Sequence, residues 1–511
     1  MLSPGIAILP LPHLVSASML QSRTPSLLHR PIVVVLLAVA AGLLLRSAIG
    51  PEPNAWLIWF APVPTLWLAL SLRRRGLAHL AVVIATLVAA TTYASYLRML
   101  MPAPFAALAV CGFAAGWWLA IMLARRIVLR FARWWTVLAY PLTWASIDLV
   151  MGRQLPDGQW GSAAYSQSEW LPMLQTTALG GTPALLFVLC LPASGLALWL
   201  ATSWPTRQRV LALAVAAIVP LAAFGYGNAR LQAAPEASDH LRIGLASIDD
   251  LVLPRMPEAV ATEVREGYAR LVTQLADDGA ELIVLPEKAA ILAPAAATVW
   301  QRDFAALARQ HGVWLEVGVG IDDGRAPRNQ AWLFDPEGQL RQDYEKLRLA
   351  PPERRQGYRH GSEIAVQEID GLRTGLAICK DMHFASVGRR YGRDAVGLML
   401  VPAWDFDYVD AWMGARMTLV RGVENGYAVV RPAREGLMSV SDGWGRLVAE
   451  APSAPLPGAR LLAELPRSSP GMTPYTRVGD VFGLLCLLAT LTLVLATWRR
   501  GHASPTARRT H

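Results

Sequence analysis

Lysine is almost absent. The 511 residues hold 47 basic side chains, yet only three are lysines: Lys288, Lys346 and Lys380. Cysteine is scarce as well. Cys111, Cys190, Cys379 and Cys486 are too few and too scattered for a disulfide framework. Three of them lie in long apolar runs, where a free thiol behaves as a small hydrophobe. Charged residues make up 17% of the chain and hydrophobic ones 54%. That balance excludes a disordered or collagen-like chain and is too apolar for an ordinary soluble protein. No HExxH or paired-cysteine spacing is present, so no metal is expected. A P-loop, a dinucleotide fingerprint, an internal repeat and a low-complexity tract are all missing, and no cofactor is expected. The first 30 residues lack a basic stretch followed by a clean apolar run, so no cleaved signal peptide is expected.

Long apolar runs are abundant instead. Seven fill the first 230 residues, at about 32–45, 55–72, 77–96, 103–124, 134–151, 182–201 and 210–226, and an eighth spans 481–498. Most approach the ~20 residues that cross a ~30 Å hydrocarbon layer. The first is short and reads as re-entrant or tilted. The expected organisation is an N-terminal segment over 1–30, about seven membrane helices over 31–230, a second domain over 231–478, a C-terminal helix over 479–498 and a basic tail over 499–511.

Charge sets the expected orientation. With the N-terminus in the cytoplasm, the inner segments carry Arg23, Arg30, Arg73–Arg75, Arg125, Arg126, Arg130, Arg133, Arg207, Arg209, Arg499, Arg500, Arg508 and Arg509, with no acidic residue. The short outer loops hold only Arg46, Arg98 and Arg153. This is the positive-inside pattern. Removing those 15 arginines from the 47 basic residues leaves 32 against 38 acidic ones. The net +9 is therefore a topology signal and not a nucleic-acid footprint. The domain over 231–478 is expected outside the cytoplasm, at an inner (plasma) membrane. The outer loop over 152–181 carries Trp160, Tyr165 and Trp170, which read as interface-belt anchors. Asp148 is an acid at membrane depth, where such residues face a cavity or a partner.

Residues 240–465 alternate short strands and helices, the pattern of an α/β layered domain. Strands are expected at 241–246, 281–285, 313–321, 331–334, 340–346, 374–378 and 397–401, and helices at 258–278 and 302–310. Three chemically capable residues stand at strand ends, where reacting groups collect in such sheets. Glu287 follows ELIVLP, Lys346 closes a strand, and Cys379 follows TGLAI. Singly each has an ordinary reading, as a packed thiol, a solvated acid or a surface cation beside Glu345. Jointly they supply acyl transfer through a thioester: a carboxylate takes the thiol proton, a cation steadies the oxyanion, and sulfur attacks.

The joint pattern of LPE, YEK and ICKD resembles the nitrilase, or carbon–nitrogen hydrolase, superfamily. The stretches RNQAWLFDPEGQLRQDYEKLRL, RDAVGLMLVPAWDF and RGVENGYAVVRPAREGLMSVSDGWGRL are similar to that family's later segments. The resemblance covers about 240–465. It implies an αββα sandwich whose triad falls on Glu287, Lys346 and Cys379. Preceding helices and one following helix, with APVPTLWLAL and PLTWASIDLVMGR in the first half, resemble the apolipoprotein N-acyltransferase family in particular. The fold so implied is a multi-pass α-helical membrane domain plus a nitrilase-like α/β sandwich. The activity so implied moves an acyl chain from a membrane phospholipid to the amine of a diacylated lipoprotein acceptor, with the bilayer as setting and no nucleic acid. Glu353 then matches an auxiliary glutamate, and the backbone N–H of Lys380 would help Lys346 hold the oxyanion.

The chain departs from the family after the nucleophile, where Lys380 and Asp381 replace an aromatic residue and Glu. Asp381 is expected to pair with Lys380. His383 offers a rival Cys–His pairing. Three functions stay open: the lipoprotein N-acyltransferase or a paralogue with another acceptor, a membrane-tethered amidase using water, and a non-catalytic relative. All three lysines fall in the site motifs. A lysine ammonium is a point charge that the arginine fork does not replace. Lys346→Arg is accordingly expected to abolish acylation of Cys379, read by intact mass, and Lys380→Arg to reduce it less. Full activity of Lys346→Arg would make the lysine pattern a coincidence.

Overall fold

A computed structural model describes residues 28, 30–50, 53–235, 239–249 and 256–499. The expected N-terminal segment (apart from 28 and 30) and the tail beyond 499, with Arg23, Arg500, Arg508 and Arg509, lie outside the described residues. Nine helices lead the described chain: α1 (Pro31–Ser47), α2 (Pro62–Ser71), α3 (Arg75–Ala90), α4 (Ala94–Leu100), α5 (Ala103–Phe131), α6 (Ala139–Gln154), α7 (Leu171–Leu174), α8 (Thr177–Ala201) and α9 (Thr206–Gln232). Among the described residues, five helical segments are long and apolar enough to cross a membrane. They are Arg75–Leu100, Ala103–Phe131, Thr177–Ala201, Thr206–Gln232 and Val481–Trp498. The apolar stretches at 32–45 and 55–72 form shorter helices. The second is broken ahead of Pro62, since proline favours a first helical turn and disrupts an interior one.

The arginine-rich ends of the helices meet. Arg125 Nε and Nη2 donate to the carbonyls of Ala69 and Leu72 at 2.6 and 3.0 Å. Arg126 Nε donates to Thr497 Oγ1 at 2.7 Å, and the Trp134 N–H donates to Gln208 Oε1 at 3.2 Å. The opposite end of the bundle carries the second domain. There Arg153 pairs with Asp480 at 2.5 Å, and Gln175 Nε2 donates to the Trp444 carbonyl at 2.9 Å.

That second domain contains strands β1 (His240–Ser247), β2 (Leu282–Val284), β3 (Ile291–Leu292), β4 (Trp314–Ile321), β5 (Arg328–Phe334), β6 (Leu340–Glu345), β7 (Ala365–Ile369), β8 (Leu372–Leu376), β9 (Leu398–Leu400), β10 (Ala403–Trp404), β11 (Ala428–Arg431), β12 (Ala433–Arg434), β13 (Leu437–Ser441), β14 (Leu447–Pro452) and β15 (Ala459–Pro466). Its helices are α10 (Glu258–Asp277), α11 (Pro294–His311), α12 (Pro351–Arg355), α13 (Ala385–Arg393) and α14 (Tyr408–Asn425). Short α15 (Pro474–Val478) then leads into α16 (Val481–Arg499). Helix α11 begins eight residues before the expected 302, because Pro294 opens its first turn.

Two sheets stack face to face. Their orders are β15-β1-β2-β4-β5-β6, with β3 beside β4, and β14-β13-β11-β9-β8-β7. Each has three parallel strands, one antiparallel edge strand and an antiparallel pair on the far side. The repeat that the sequence hides is thus present in topology. Polar–apolar alternation is not needed in the central strands, since strands covered on both faces read as continuous apolar runs. Ile243, Leu245 and Val284 of one sheet meet Leu376, Leu400 and Val430 of the other in a shared core. Helices α10 and α11 cover the first sheet through Val264, Tyr268, Leu271, Trp300 and Phe304.

Helix α14 sits in the other outer layer and has almost no solvent face. Every residue from Asp410 to Asn425 is buried. Its apolar side chains Trp412, Met413, Met417, Leu419 and Val420 join the core of the membrane half. Its Arg421 forms a buried ion pair with Glu424. Arg421 also donates to Gln159 Oε1 at 2.5 Å and to the Tyr165 hydroxyl at 3.0 Å, and Glu424 Oε1 accepts the Thr182 N–H at 3.0 Å. The 152–181 loop therefore clasps the sandwich. Trp160 and Tyr165, expected at the membrane interface, are instead buried against protein. Asp148 lines a small cavity with Trp117 and Trp144, its Oδ2 buried without a hydrogen bond.

Removing one member of a buried ion pair strands the other. Arg421→Ala is expected to cost about 3–5 kcal/mol and to lower the unfolding midpoint of the full chain in detergent. The double variant Arg421→Met, Glu424→Leu removes both charges and should cost less than the single one. An equal or larger loss in the double variant would contradict this.

Candidate active site

Backbone strain marks two of the residues singled out from sequence. Cys379 has φ +42° and Lys288 has φ +48°. A side chain disfavours this left-handed conformation by ~1 kcal/mol or more, and such strain persists only where the surroundings enforce it. For Cys379 the enforcement is visible. The strand β8 ends at Leu376, and a 3₁₀ turn runs over Cys379–His383. The Cys379 N–H donates to the Pro402 carbonyl at 2.9 Å. Asp381, two residues on, accepts from the Ile378 N–H at 2.9 Å, the Arg348 N–H at 2.6 Å and the Tyr344 hydroxyl at 2.6 Å. For Lys288, Arg434 Nη1 donates to its carbonyl at 2.9 Å.

Four buried charges converge beside this turn. Lys346 Nζ lies 2.7 Å from Glu287 Oε1 and 3.1 Å from Glu353 Oε2. Lys288 Nζ lies 2.6 Å from Glu353 Oε1. Two ammonium groups thus answer two carboxylates, and none of the four side chains is more than 5% exposed. Asn329, on β5, is the residue that sequence reasoning missed. Its Nδ2 donates to Glu287 Oε1 at 2.6 Å and to Glu353 Oε1 at 2.7 Å. The RNQ run before the YEK motif of Lys346 was the available signal. Both contacts to Glu287 fall on Oε1, so Oε2 has no protein hydrogen bond among the described residues. The loop carrying Glu287 packs against Gly318 of β4, where a Cβ would stand 2.3 Å from the Pro286 carbonyl oxygen.

Electrostatics follow from burial and these charges. Burial pushes the Cys379 thiol well above its ordinary pKa; the Glu287 charge adds to this, and Lys346 opposes it. These influences favour the neutral form of the Cys379 thiol. Burial would lower the Lys346 pKa, but Glu287 and Glu353 together raise it well above the usual lysine range. Lys346 is a fixed cation. Burial disfavours an ionised Glu353, yet Lys346 and Lys288 hold it below the usual carboxylate range. A neutral thiol, a carboxylate with one free oxygen and a permanent ammonium can open a carbonyl by general-base-assisted attack.

The remaining sequence expectations resolve differently. Lys380 does not pair with Asp381. Its ammonium reaches Asp157 on the outer loop of the membrane half, because Asp381 is already occupied within its own turn. Burial draws the Lys380 pKa down to about 7, against the pull of Asp410. Glu345 turns to Arg359 at 2.8 Å and leaves Lys346 inside. His383 makes no hydrogen bond to Cys379. Its carbonyl accepts the Gln159 N–H at 3.1 Å, and its Nδ1 is buried without a partner. Gly158 makes this approach possible, since a Cβ there would stand 2.5 Å from the His383 carbonyl oxygen.

Two family models match the chain. The carbon–nitrogen hydrolase model matches residues 193–456, more than half of the chain, and the apolipoprotein N-acyltransferase N-terminal domain matches 41–195. The chain belongs to the apolipoprotein N-acyltransferase family of carbon–nitrogen hydrolases. Two relatives named apolipoprotein N-acyltransferase are those of Geobacter metallireducens, 25% identical over 71% of this chain and 74% of that one, and of Gloeobacter violaceus, 27% identical over 91% and 94%. A deaminated glutathione amidase of Yersinia enterocolitica is 21% identical over 37% of this chain and 79% of that one. An amidase of the nitrilase superfamily from Nesterenkonia AN1 covers 48% of this chain and 96% of its own, at 19% identity and a TM-score of 0.40. Members of the family to which this chain belongs are enzymes of acyl transfer, and this chain is a multi-pass membrane protein.

The electrostatic arrangement has a direct readout. Glu287→Gln removes the negative charge that holds the thiol up and leaves Lys346 acting on it. Alkylation of Cys379 by iodoacetamide at pH 7 should therefore become faster, while transfer chemistry that needs the base is lost. Lys346→Met should slow alkylation. Slower alkylation of Glu287→Gln would overturn the assignment of charges.

Proposed function

We propose that this chain moves a fatty acyl group from a membrane phospholipid, through a thioester on Cys379, to the N-terminal amine of a diacylglyceryl-cysteine lipoprotein. The observation that carries the reading is the buried Glu287–Lys346–Glu353–Lys288 cluster beside the strained Cys379 turn, in a domain seated on membrane helices. The relatives' names support the acyl acceptor. The hydrolase alternative draws on the sandwich alone, whereas the match over 41–195 belongs to the acyltransferases.

The steps follow from the charges. Cys379 Sγ attacks the ester carbonyl carbon of the phospholipid while Glu287 Oε2 takes the thiol proton. Negative charge moves to the carbonyl oxygen, where Lys346 and the Lys380 backbone N–H stabilise it. The intermediate collapses, the carbon–oxygen ester bond breaks, and Glu287 returns the proton to the departing lysophospholipid alkoxide. The lipoprotein amine then attacks the thioester carbonyl and gives its proton to Glu287. The carbon–sulfur bond breaks, and the sulfur recovers the proton. Each acyl transfer leaves the enzyme unchanged, as a ping-pong scheme requires. Glu353 and Asn329 act by positioning Lys346 and Glu287.

The orientation belongs to the same reading. The arginine-rich helix ends lie opposite the sandwich, so the positive-inside rule puts the sandwich outside the cytoplasm. In a cell with two membranes, that is the outer face of the inner membrane. The test is direct. Purified full chain incubated with phospholipid should gain one acyl mass, and Cys379→Ala should not. The absence of an adduct on wild type, or the same adduct on Cys379→Ala, would sink the proposal. Acceptor identity is read separately, by whether the chain rescues cells depleted of their own N-acyltransferase.

A further inference from the structure

Beside the catalytic loops opens a cleft of about 530 Å³. Its walls are the segment after Lys346, residues 360–362 and the first half of α13. Two hydrogen bonds tie its walls to the site: the Gly361 N–H donates to the Lys346 carbonyl at 2.8 Å, and the Arg348 N–H to Asp381 Oδ1 at 2.6 Å. The polar side chains facing it are Arg348, Arg354, Arg390, His360, Ser362 and Ser386. All three arginines are exposed.

About half of the other described arginines of the domain are ion-paired. Arg341, Arg359, Arg416, Arg431, Arg446, Arg460 and Arg467 each reach a carboxylate. Arg348, Arg354 and Arg390 make no ion pair among the described residues. Two of the acids of the adjoining turns are already engaged, whereas Glu363, next to Ser362, is exposed. Asp381 accepts three hydrogen bonds within and beside its turn, and Glu353 is held by Lys288 and Lys346. Only local contacts fix the arginines. Arg354 Nε donates to the Leu349 carbonyl at 3.2 Å, and the Arg348 guanidinium lies 4.9 Å from the Phe384 ring. Three guanidinium groups around one cleft, with hydroxyls beside them, form an anion site that the protein itself does not fill.

The cleft also lies at the junction with the membrane half. Phe384, against which Arg348 packs, borders Gly158 of the outer loop. Arg355, next to Arg354, donates to the Leu100 carbonyl at the end of α4 at 3.0 Å. A cationic cleft at this depth meets lipid headgroups before it meets anything else, and arginine forks match phosphate oxygens in pairs.

We propose that this cleft binds the phosphate of an anionic phospholipid headgroup and so selects the acyl donor presented to Cys379. The inference rests on the acyl-transfer reading only in calling that lipid the donor. A net-negative headgroup such as phosphatidylglycerol is favoured over the zwitterionic phosphatidylcholine, because three guanidinium groups line the cleft and none makes an ion pair among the described residues.

The experiment uses the full chain in detergent micelles doped with phosphatidylglycerol or phosphatidylcholine. Retained lipid is counted by native mass spectrometry on Cys379→Ala and on Cys379→Ala with Arg348→Gln and Arg390→Gln. In parallel, thioester formation is followed against donor mole fraction with Cys379 intact. The arginine variant should lose retained phosphatidylglycerol. It should need roughly tenfold more of that donor for half-maximal acylation, as expected for lost charge-assisted bonds, with the maximal rate unchanged. Equal retention and equal half-saturation in both proteins would overturn the proposal. Displacement of the lipid by millimolar inorganic phosphate would equally overturn it, reassigning the cleft to free phosphate. Arginine-dependent retention without thioester from any lipid would uphold the cleft and sink the acyl-transfer reading instead.

Discussion

Helix α14 is the constraint on which the two halves depend. It is one outer layer of the sandwich, and the membrane half is packed on its other side. A helix buried all round has to satisfy every polar group internally. Arg421 and Glu424 do so by taking partners from across the junction, in Gln159, Tyr165 and Thr182. Docking is therefore written in hydrogen bonds as well as in apolar contact. A shift of one helical turn would keep the Arg421–Glu424 pair, which lies within α14, but would strip it of its Gln159, Tyr165 and Thr182 partners. The sandwich cannot slide on its membrane base.

The same rigidity reaches the nucleophile. The Lys380–Asp157 pair and the Gln159 N–H to His383 carbonyl bond both join the outer loop to the turn that carries Cys379. Glu287 and Lys346 come from the other sheet, on loops after β2 and β6. The reacting groups thus meet across the gap between two stacked sheets, and the gap is kept by the shared core. Balanced charge limits the cost of burying them. Two ammonium groups and two carboxylates, linked by Asn329, balance one another, and the buried Arg434 guanidinium stands beside them on the Lys288 carbonyl.

The apolar runs and the short strands were legible in the sequence, because continuous hydrophobic segments have few other readings. The strand-end positions of Glu287, Lys346 and Cys379 were legible for the same reason: each follows a strand and breaks it. Asn329 was not, since an amide in RNQ carries no period and its role lies in two partners, one 42 and one 24 residues away. The fate of Lys380 was hidden too. Adjacent opposite charges suggest a local pair, but the lone pairs of Asp381 are taken up by its own turn, Arg348 and Tyr344, and the lysine must look to the other domain. The topological repeat between the sheets left no trace in residue identity. Strand order is set by packing geometry, which many apolar sequences satisfy.

The placing of the four cysteines has a further consequence. Cys111, Cys190 and Cys486 all belong to helices of the membrane half, and Cys379 is the sole thiol of the sandwich. On the extracytoplasmic side, thiols are under pressure to become disulfides. The nucleophile has no neighbour with which to close an intramolecular bridge. Desolvation and the Glu287 charge also favour its protonated form, and oxidants attack thiolate far faster than thiol. In the orientation and chemistry proposed here, which require one reduced sulfur outside the cytoplasm, a thiol that stays protonated until the acyl group arrives needs no dedicated reductant.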